Sequence, residues 1–288
     1  MIDRQAVAYY PGCSLHGLAR PYDRSTKLVC AKLELDLREV PDWNCCGATS
    51  GHSINRELTL ALGARNLSQV MTTGAKIVTS PCAACYSSLV RVADELRDPA
   101  TRAKAEELIE AAVGEVKVMH LLELLTRPEV VVRLEQKVSH RLQNLRVVCY
   151  YGCLIVRPYR ITGFDDPENP QVLDRLLRNL GAEVLDWSHK TECCGASFSV
   201  CGPEMADQRT DEILRQARQV GAEAIVVACP LCQSNLEFRQ ASLGGDWNMP
   251  VIFFTQLIGL ALGMSVKEVG LHQLLGDAFP WREKIKPV

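Results

Sequence analysis

Asn44-Cys45-Cys46-Gly47-Ala48 and Glu192-Cys193-Cys194-Gly195-Ala196 are one short phrase written twice in a single chain. A repeated Cys-Cys-Gly makes internal self-similarity the first property to test. Working outward, Tyr9-Tyr10-Pro11-Gly12-Cys13 precedes the first copy, and Cys149-Tyr150-Tyr151-Gly152-Cys153 precedes the second. Downstream, Pro81-Cys82-Ala83-Ala84-Cys85 is answered by Cys229-Pro230-Leu231-Cys232. Arg20-Pro21-Tyr22 finds an echo in Arg157-Pro158-Tyr159. Written as spacings, the first half reads C-x31-CC-x35-C-x2-C and the second C-x39-CC-x34-C-x2-C. A lone C-x2-C says little; five cysteines in the same order twice say that the chain is two versions of one cysteine site.

The remainder of the chain bounds the possibilities. Its 288 residues are 47% hydrophobic and 23% charged, a globular composition with ample material for a core. The net charge of −2 gives no electrostatic reason to expect nucleic acid or an anionic membrane as partner. The N-terminus runs directly into an apolar stretch with no basic region before it, so no signal peptide and a cytoplasmic location are expected. The longest apolar run, residues 251–264, is interrupted by Thr255 and Gln256, is too short to span a bilayer, and reads as a strand followed by a buried helix. Direct membrane insertion is therefore not expected. Thirteen cysteines without an export signal point to metal binding or redox catalysis rather than to disulfides.

Between the cysteine marks the periodicity alternates. Residues 6–11, 34–40 and 76–80 read as strands, with helices over 20–33, 55–72 and 83–97. The second half repeats the scheme: strands over 146–151, 182–187 and 224–228, helices over 171–180, 203–220 and 231–240. Such alternation predicts an α/β fold with parallel sheets covered by helices. The expected architecture is two similar Rossmann-like halves related by pseudo-twofold symmetry, residues 1–144 and 145–288. Residues 101–144, rich in Glu, Lys, Arg and Leu, read as a helical bridge. Cys13, Cys82, Cys153 and Cys229 then follow the carboxyl ends of parallel strands, where open α/β sheets bind ligands. The C-x2-C pairs fall at helix starts, where the helix dipole favours thiolate.

Soft thiolates select zinc, copper(I) or iron–sulfur clusters. Structural zinc takes four ligands, usually from two separated pairs. Each half here offers five, two of them sequence neighbours that chelate a single tetrahedral ion only with strain. An ordinary cubane cluster takes four cysteines and leaves one over.

The double pattern resembles the CCG domain family, specifically the B subunit of heterodisulfide reductase, over essentially the whole chain. The resemblance implies two noncubane [4Fe–4S] clusters, one on Cys13, Cys45, Cys46, Cys82 and Cys85, the other on Cys153, Cys193, Cys194, Cys229 and Cys232. It implies an oxidoreductase that cleaves or forms a disulfide between the clusters. It further implies two companion subunits as partners, one ferredoxin-like and one flavin-containing. The substrate would be a small disulfide, a thiol or carrier-bound sulfur. The chain itself has no Gly-rich dinucleotide fingerprint and no ferredoxin cysteine run, so it is expected to hold neither flavin nor nicotinamide. His16, His52 and His189 are candidate proton donors near the ligands. Arg157, with Arg160 and Arg20, could meet an acidic substrate group. Cys30, Cys149 and Cys201 read as structural residues, Cys201 standing seven residues past Cys194 where it could alternatively approach the second cluster, and Trp43 and Trp187 as core residues that could also shield the clusters. Two other readings stand beside this one: an iron–sulfur relay without its own substrate, and a zinc-stabilised scaffold.

Overall fold

A computed structural model of the chain describes residues 6–48, 51–244, 246–275 and 285–287. The first half runs β1 (Val7–Tyr9), α1 (Cys13–His16), α2 (Arg20–Lys32), β2 (Leu37–Glu39), α3 (Gly51–Ile54), α4 (Arg56–Thr72), β3 (Ile77–Ser80) and α5 (Ala83–Glu95). Next come α6 (Pro99–Ile109), β4 (Lys117–His120), α7 (Leu121–Leu125), α8 (Pro128–Lys137) and β5 (His140–Leu142). The second half runs β6 (Arg146–Tyr150), α9 (Tyr159–Thr162), α10 (Val172–Asn179), β7 (Glu183–Val184), α11 (Pro203–Gln219) and β8 (Ala224–Val227). It closes with α12 (Pro230–Phe238), β9 (Val251–Phe253), α13 (Phe254–Ala261) and β10 (Ile285–Pro287).

Two four-stranded parallel sheets form, ordered β2-β1-β3-β4 and β7-β6-β8-β9. Position for position these are the same sheet, which makes the cysteine repeat a structural repeat. In register, Ala8 faces Val78 in the first and Val148 faces Ile225 in the second. The central strands are buried on both faces, as helix-covered parallel strands must be. In each sheet the order reverses beside the first strand of the half. That switch point opens a crevice at the carboxyl ends of β1 and β3, and of β6 and β8. Every predicted cysteine site lies at one of these ends or on the loop beside it.

One expectation needs correction. The segment read as a helical bridge contains β4, which pairs with β3 from Ile77↔Lys117 to Ser80↔His120 and completes the first sheet. Four residues, Lys-Val-Met-His, are too short to show a period, and only their neighbours in space make them a strand. The equivalent strand of the second sheet, β9, was legible because the apolar run 251–264 announced it. That run becomes β9 followed by α13, every residue of which is buried. Strands β5 and β10 form a separate antiparallel pair.

The halves are joined by exchanged contacts. Helix α2 packs against α13, with Tyr22 stacked on Phe253 at 4.1 Å between ring centroids. Ser25 and Thr255 share a buried hydrogen bond of 2.7 Å across the same seam. Among the described residues no helix is long and apolar enough to cross a membrane.

Candidate metal centre

At the end of β1 the chain turns through Gly12, held at φ +70°. A Cβ there would stand 2.8 Å from Cys85 Sγ, so only glycine lets the strand end lie against the thiol. Gly152 repeats the device at φ +68°, with Cys232 Sγ 3.2 Å from the position of a Cβ. The tyrosine two residues earlier does a second job. Tyr10 donates its hydroxyl to Asn44 O at 2.7 Å, and Tyr150 donates to Glu192 O at 2.5 Å. Each ring thus lies under the thiols of its half and ties the Cys-Cys loop to the strand end.

The helix after each C-x2-C supplies the next anchor. Ser88 donates to Cys46 O at 2.8 Å, and Asn235, at the same place in the second half, donates to Cys194 O at 2.6 Å. These two residues were not singled out from the sequence. The signal was available: each sits three positions after the last cysteine, on the helix face that carries it. Asn66 on α4 adds a further clamp in the first half, accepting from Asn44 N at 2.9 Å and donating to Asn44 O at 3.0 Å. In the second half Lys190 is the anchor. Its carbonyl accepts from the N–H groups of Tyr151 and Gly152, while its buried ammonium donates to Asp174 at 2.9 Å. Asp174 in turn accepts from the Tyr151 hydroxyl at 2.6 Å. Paired and hydrogen-bonded in this way, the buried charges are compensated.

The ten thiols form two sets of like design. Cys46 and Cys85 stand 3.3 Å apart, and Cys194 and Cys232 stand 3.7 Å apart. In the first set Cys46, Cys82 and Cys85 are buried while Cys13 and Cys45 are exposed. In the second, Cys194, Cys229 and Cys232 are buried, Cys153 is half-buried and Cys193 is exposed. The hydrogen bond from Cys85 holds the Cys46 thiol down at about 7, against the effect of burial. That from Cys153 holds Cys193 down at about 6. Each Cys-Cys pair therefore contributes one thiol that is readily ionised near neutral pH, as ligation requires. Among the described residues no three His, Cys, Asp or Glu side chains converge as ligands of a single ion. What the chain offers is two groups of soft sulfur donors spread along a loop, a strand end and a helix start. That donor set fits an iron–sulfur group.

The two sets meet. Cys82 of the first half and Cys229 of the second come within electrostatic reach of each other across the seam. A cavity of about 410 Å³, lined by none of the cysteines themselves, lies over α4 and α5. Ala48, Ala84 and Leu154 line it, residues next to Cys46, Cys85 and Cys153 or one glycine removed. Farther out along α5 it is lined by Ser87 and Arg91. A larger cavity, about 760 Å³ between Lys76, Arg102 and Lys117, is likewise lined by no cysteine.

The other candidates fall elsewhere. His16 faces Glu39 at 3.3 Å and packs edge-on against Trp43. His189 faces Glu212 at 3.5 Å and lies near Trp187. Neither histidine lines the cavity by the cysteines. The side chain of His52 lies outside the described residues. Arg157 is engaged with Glu168 at 2.9 Å and with Thr191, so its guanidinium braces the loop that leads to Cys193 rather than facing that cavity. Arg20 donates to His16 O. Two arginines line the cavity: Arg56, paired with Glu95 at 3.1 Å, and Arg91, whose Nε lies 3.3 Å from Ser87 Oγ. Cys30 and Cys149 are fully buried, and burial pushes the Cys30 thiol up to about 12. Cys201 is exposed and leans on Ser197 O at 3.8 Å rather than on a thiol of the second set.

Comparison with known proteins agrees with this geometry. The profile of the cysteine-rich domain family CCG matches residues 7–90 and 147–237. The 8-methylmenaquinol:fumarate reductase membrane anchor subunit of Wolinella succinogenes is 32% identical over 282 residues, covering 96% of this chain and 98% of that protein. The B subunit of the ferredoxin:CoB-CoM heterodisulfide reductase of Methanosarcina mazei is 30% identical over 285 residues, 93% of this chain and 92% of its own. The glycolate oxidase iron-sulfur subunit of Escherichia coli is 23% identical over 239 residues, 81% of this chain and 54% of its own. Among solved structures, a hypothetical protein from Helicobacter pylori superposes with a TM-score of 0.75 at 12% identity. The match covers 94% of this chain and 51% of that one, and it shows the fold alone.

Proposed function

The chain belongs to the CCG cysteine-rich domain family, and from that premise we propose that it is the catalytic iron–sulfur subunit of a heterodisulfide reductase-like complex. In this reading it cleaves, or reversibly forms, a disulfide between two noncubane [4Fe–4S] clusters. The supporting observation is the approach of the two thiol sets at Cys82 and Cys229, with a cavity lined by Ala48 and Ala84 of the first half and Leu154 of the second, neighbours in sequence of Cys46, Cys85 and Cys153. Cys13, Cys45, Cys46, Cys82 and Cys85 would hold one cluster, and Cys153, Cys193, Cys194, Cys229 and Cys232 the other.

Reducing a disulfide to two thiols takes two electrons and two protons. Each cluster, when bound, supplies electrons singly, so two of them match one S–S bond. The chain's own residues do the rest. Gly12 and Gly152 bring the strand ends against the thiols. Tyr10, Tyr150, Ser88 and Asn235 fix the Cys-Cys loops. Ala48, Ala84 and Leu154 present an apolar surface to the substrate sulfur, and Arg91 draws an anionic end of the substrate to the outer part of the cavity. Protons enter at the exposed edge of each set, where His16 shares a short helix with Cys13 and His189 lies four residues ahead of Cys193. Companion subunits, one ferredoxin-like and one flavin-containing, would deliver the electrons.

A second reading, an electron relay without its own substrate, is favoured by the Wolinella relative, whose name describes a quinol:fumarate reductase. One experiment separates the two. Protein purified without oxygen should contain about eight irons and matching acid-labile sulfide per chain. Once reduced, it should be re-oxidised rapidly by a small disulfide. Full clusters that ignore every disulfide offered would turn the assignment to the relay. Zinc without sulfide would end both.

A further inference from the structure

Three charges line the cavity over α4 and α5, and two of them are oddly placed for the helices that supply them. Arg56 is the first residue of α4 and Glu95 the last of α5. A helix favours acidic side chains at its start and basic ones at its end, so each stands at the disfavoured end of its own helix. They meet between the helices instead, with Arg56 Nη2 3.1 Å from Glu95 Oε2, and both line the cavity. The third charge, Arg91, lies one turn before Glu95 on the same face of α5. Its Nε lies 3.3 Å from Ser87 Oγ, and among the described residues it has no acidic partner. The second half lacks this arrangement. Counted from the last cysteine of each set, Phe238 and Ser242 stand where the first half has Arg91 and Glu95. The repeated architecture therefore forms without these charges, and helix electrostatics does not account for where they sit.

Two guanidinium groups and one carboxylate leave the cavity a surplus of one positive charge. Arg91 is free to meet one anionic group. A second such group would find Arg56 already engaged and Glu95 opposing it, since like charges at close range repel. We infer that Glu95 is a specificity-determining residue: paired with Arg56, it makes the cavity accept a sulfur-bearing arm with one negative charge and discriminate against an arm with two. The inference rests on the cavity taking the substrate of the reaction proposed above. The pair suits such a role because it is exposed, with 83% of the Arg56 side chain open to solvent, and an exposed pair contributes little to stability.

The test measures binding to the full chain, purified without oxygen with its clusters, by titration calorimetry with thioethers that cannot be reduced. Thiodiglycolate carries one carboxylate on each arm and thiodisuccinate two. Glu95→Gln should tighten binding of thiodisuccinate about fivefold, the scale of one exposed charge pair, and change that of thiodiglycolate less than about twofold. Arg56→Gln, which leaves the Glu95 carboxylate without its partner beside Arg91, should weaken binding of both. No change in Glu95→Gln, or an equal change for the two thioethers, would overturn the inference. If Arg91→Gln still weakens thiodiglycolate in that case, the cavity remains the substrate site and the charge selection alone fails. Binding that follows the expected pattern in a chain that reduces no disulfide would uphold the charge selection and overturn the catalytic reading.

Discussion

A methyl group on Gly12 would stand 2.8 Å from Cys85 Sγ, on a residue already held at φ +70°. Left-handed backbone alone costs an L-residue about 1–2 kcal/mol, and the contact with the thiol adds to it. Gly12→Ala is expected to disturb the first set and spare the second, so iron per chain should fall from about eight to about four. Iron analysis decides this, and an undiminished iron content would show that the loop yields without loss of the site. Arg91 makes the complementary case at the far end of the cavity. Its exposed guanidinium can meet an anion, and a hydrogen bond to a charged group contributes about 1.5–3 kcal/mol. Arg91→Gln should therefore raise KM about tenfold for an anionic disulfide such as dithiodiglycolate and leave kcat little changed. Cystamine, which carries positive ends, should be unaffected. Equal losses on both substrates would mean that Arg91 supports the helix rather than the substrate.

At the scale of elements, the turn from β4 into α7 depends on one neutral histidine. His120 Nδ1 accepts from Leu122 N at 3.1 Å, so the proton sits on Nε2, which faces Pro81 O at 3.2 Å. Burial holds this imidazole down at about 4, from an ordinary value of 6.5. The unfolded chain therefore binds a proton below about pH 6.5 that the folded chain refuses until about pH 4. Stability from this residue is full above pH 6.5 and falls as the pH drops through that window, by at most about 3 kcal/mol. Urea unfolding at a series of pH values should show this slope in the unmodified protein and a flatter one in His120→Gln. Identical slopes would place the acid sensitivity elsewhere. The helices show the same dependence on local partners. Asn55 caps α4 by accepting from Leu58 N at 3.1 Å, and Asp98 caps α6 by accepting from Thr101 N at 2.8 Å. These caps begin two helices that pack on each other.

For the whole molecule, the exchange of α2 onto α13 decides whether the halves act as one body. Tyr22 is fully buried between Phe253 and Phe254, so a residue of the first half completes the core of the second. Tyr22→Ala should cost roughly 3–5 kcal/mol, the usual range for removing a buried aromatic ring. The loss should register in both sheets. Hydrogen exchange is the direct readout: protection should fall together in β1 and β3 and in β8 and β9. Loss confined to residues 1–144 would instead mark the halves as independently stable domains. The same seam carries the functional reading, since it brings Cys82 to Cys229 and sets Leu154 into the cavity formed over α4 and α5.

The sequence by itself determined the repeat, the ten paired cysteines and the parallel α/β character, because these follow from spacing and period, which are local properties of the chain. It also marked the strand-and-helix run 251–264, whose apolar length left few alternatives. Tertiary structure alone decided the rest. Strand β4 exists because β3 offers it an edge, which no four-residue pattern declares. Arg91 and Arg56 line the cavity while Arg157 is held away from it by Glu168 and Thr191. Contacts between residues far apart in the chain depend on packing, and packing is where the two nearly identical halves become unlike.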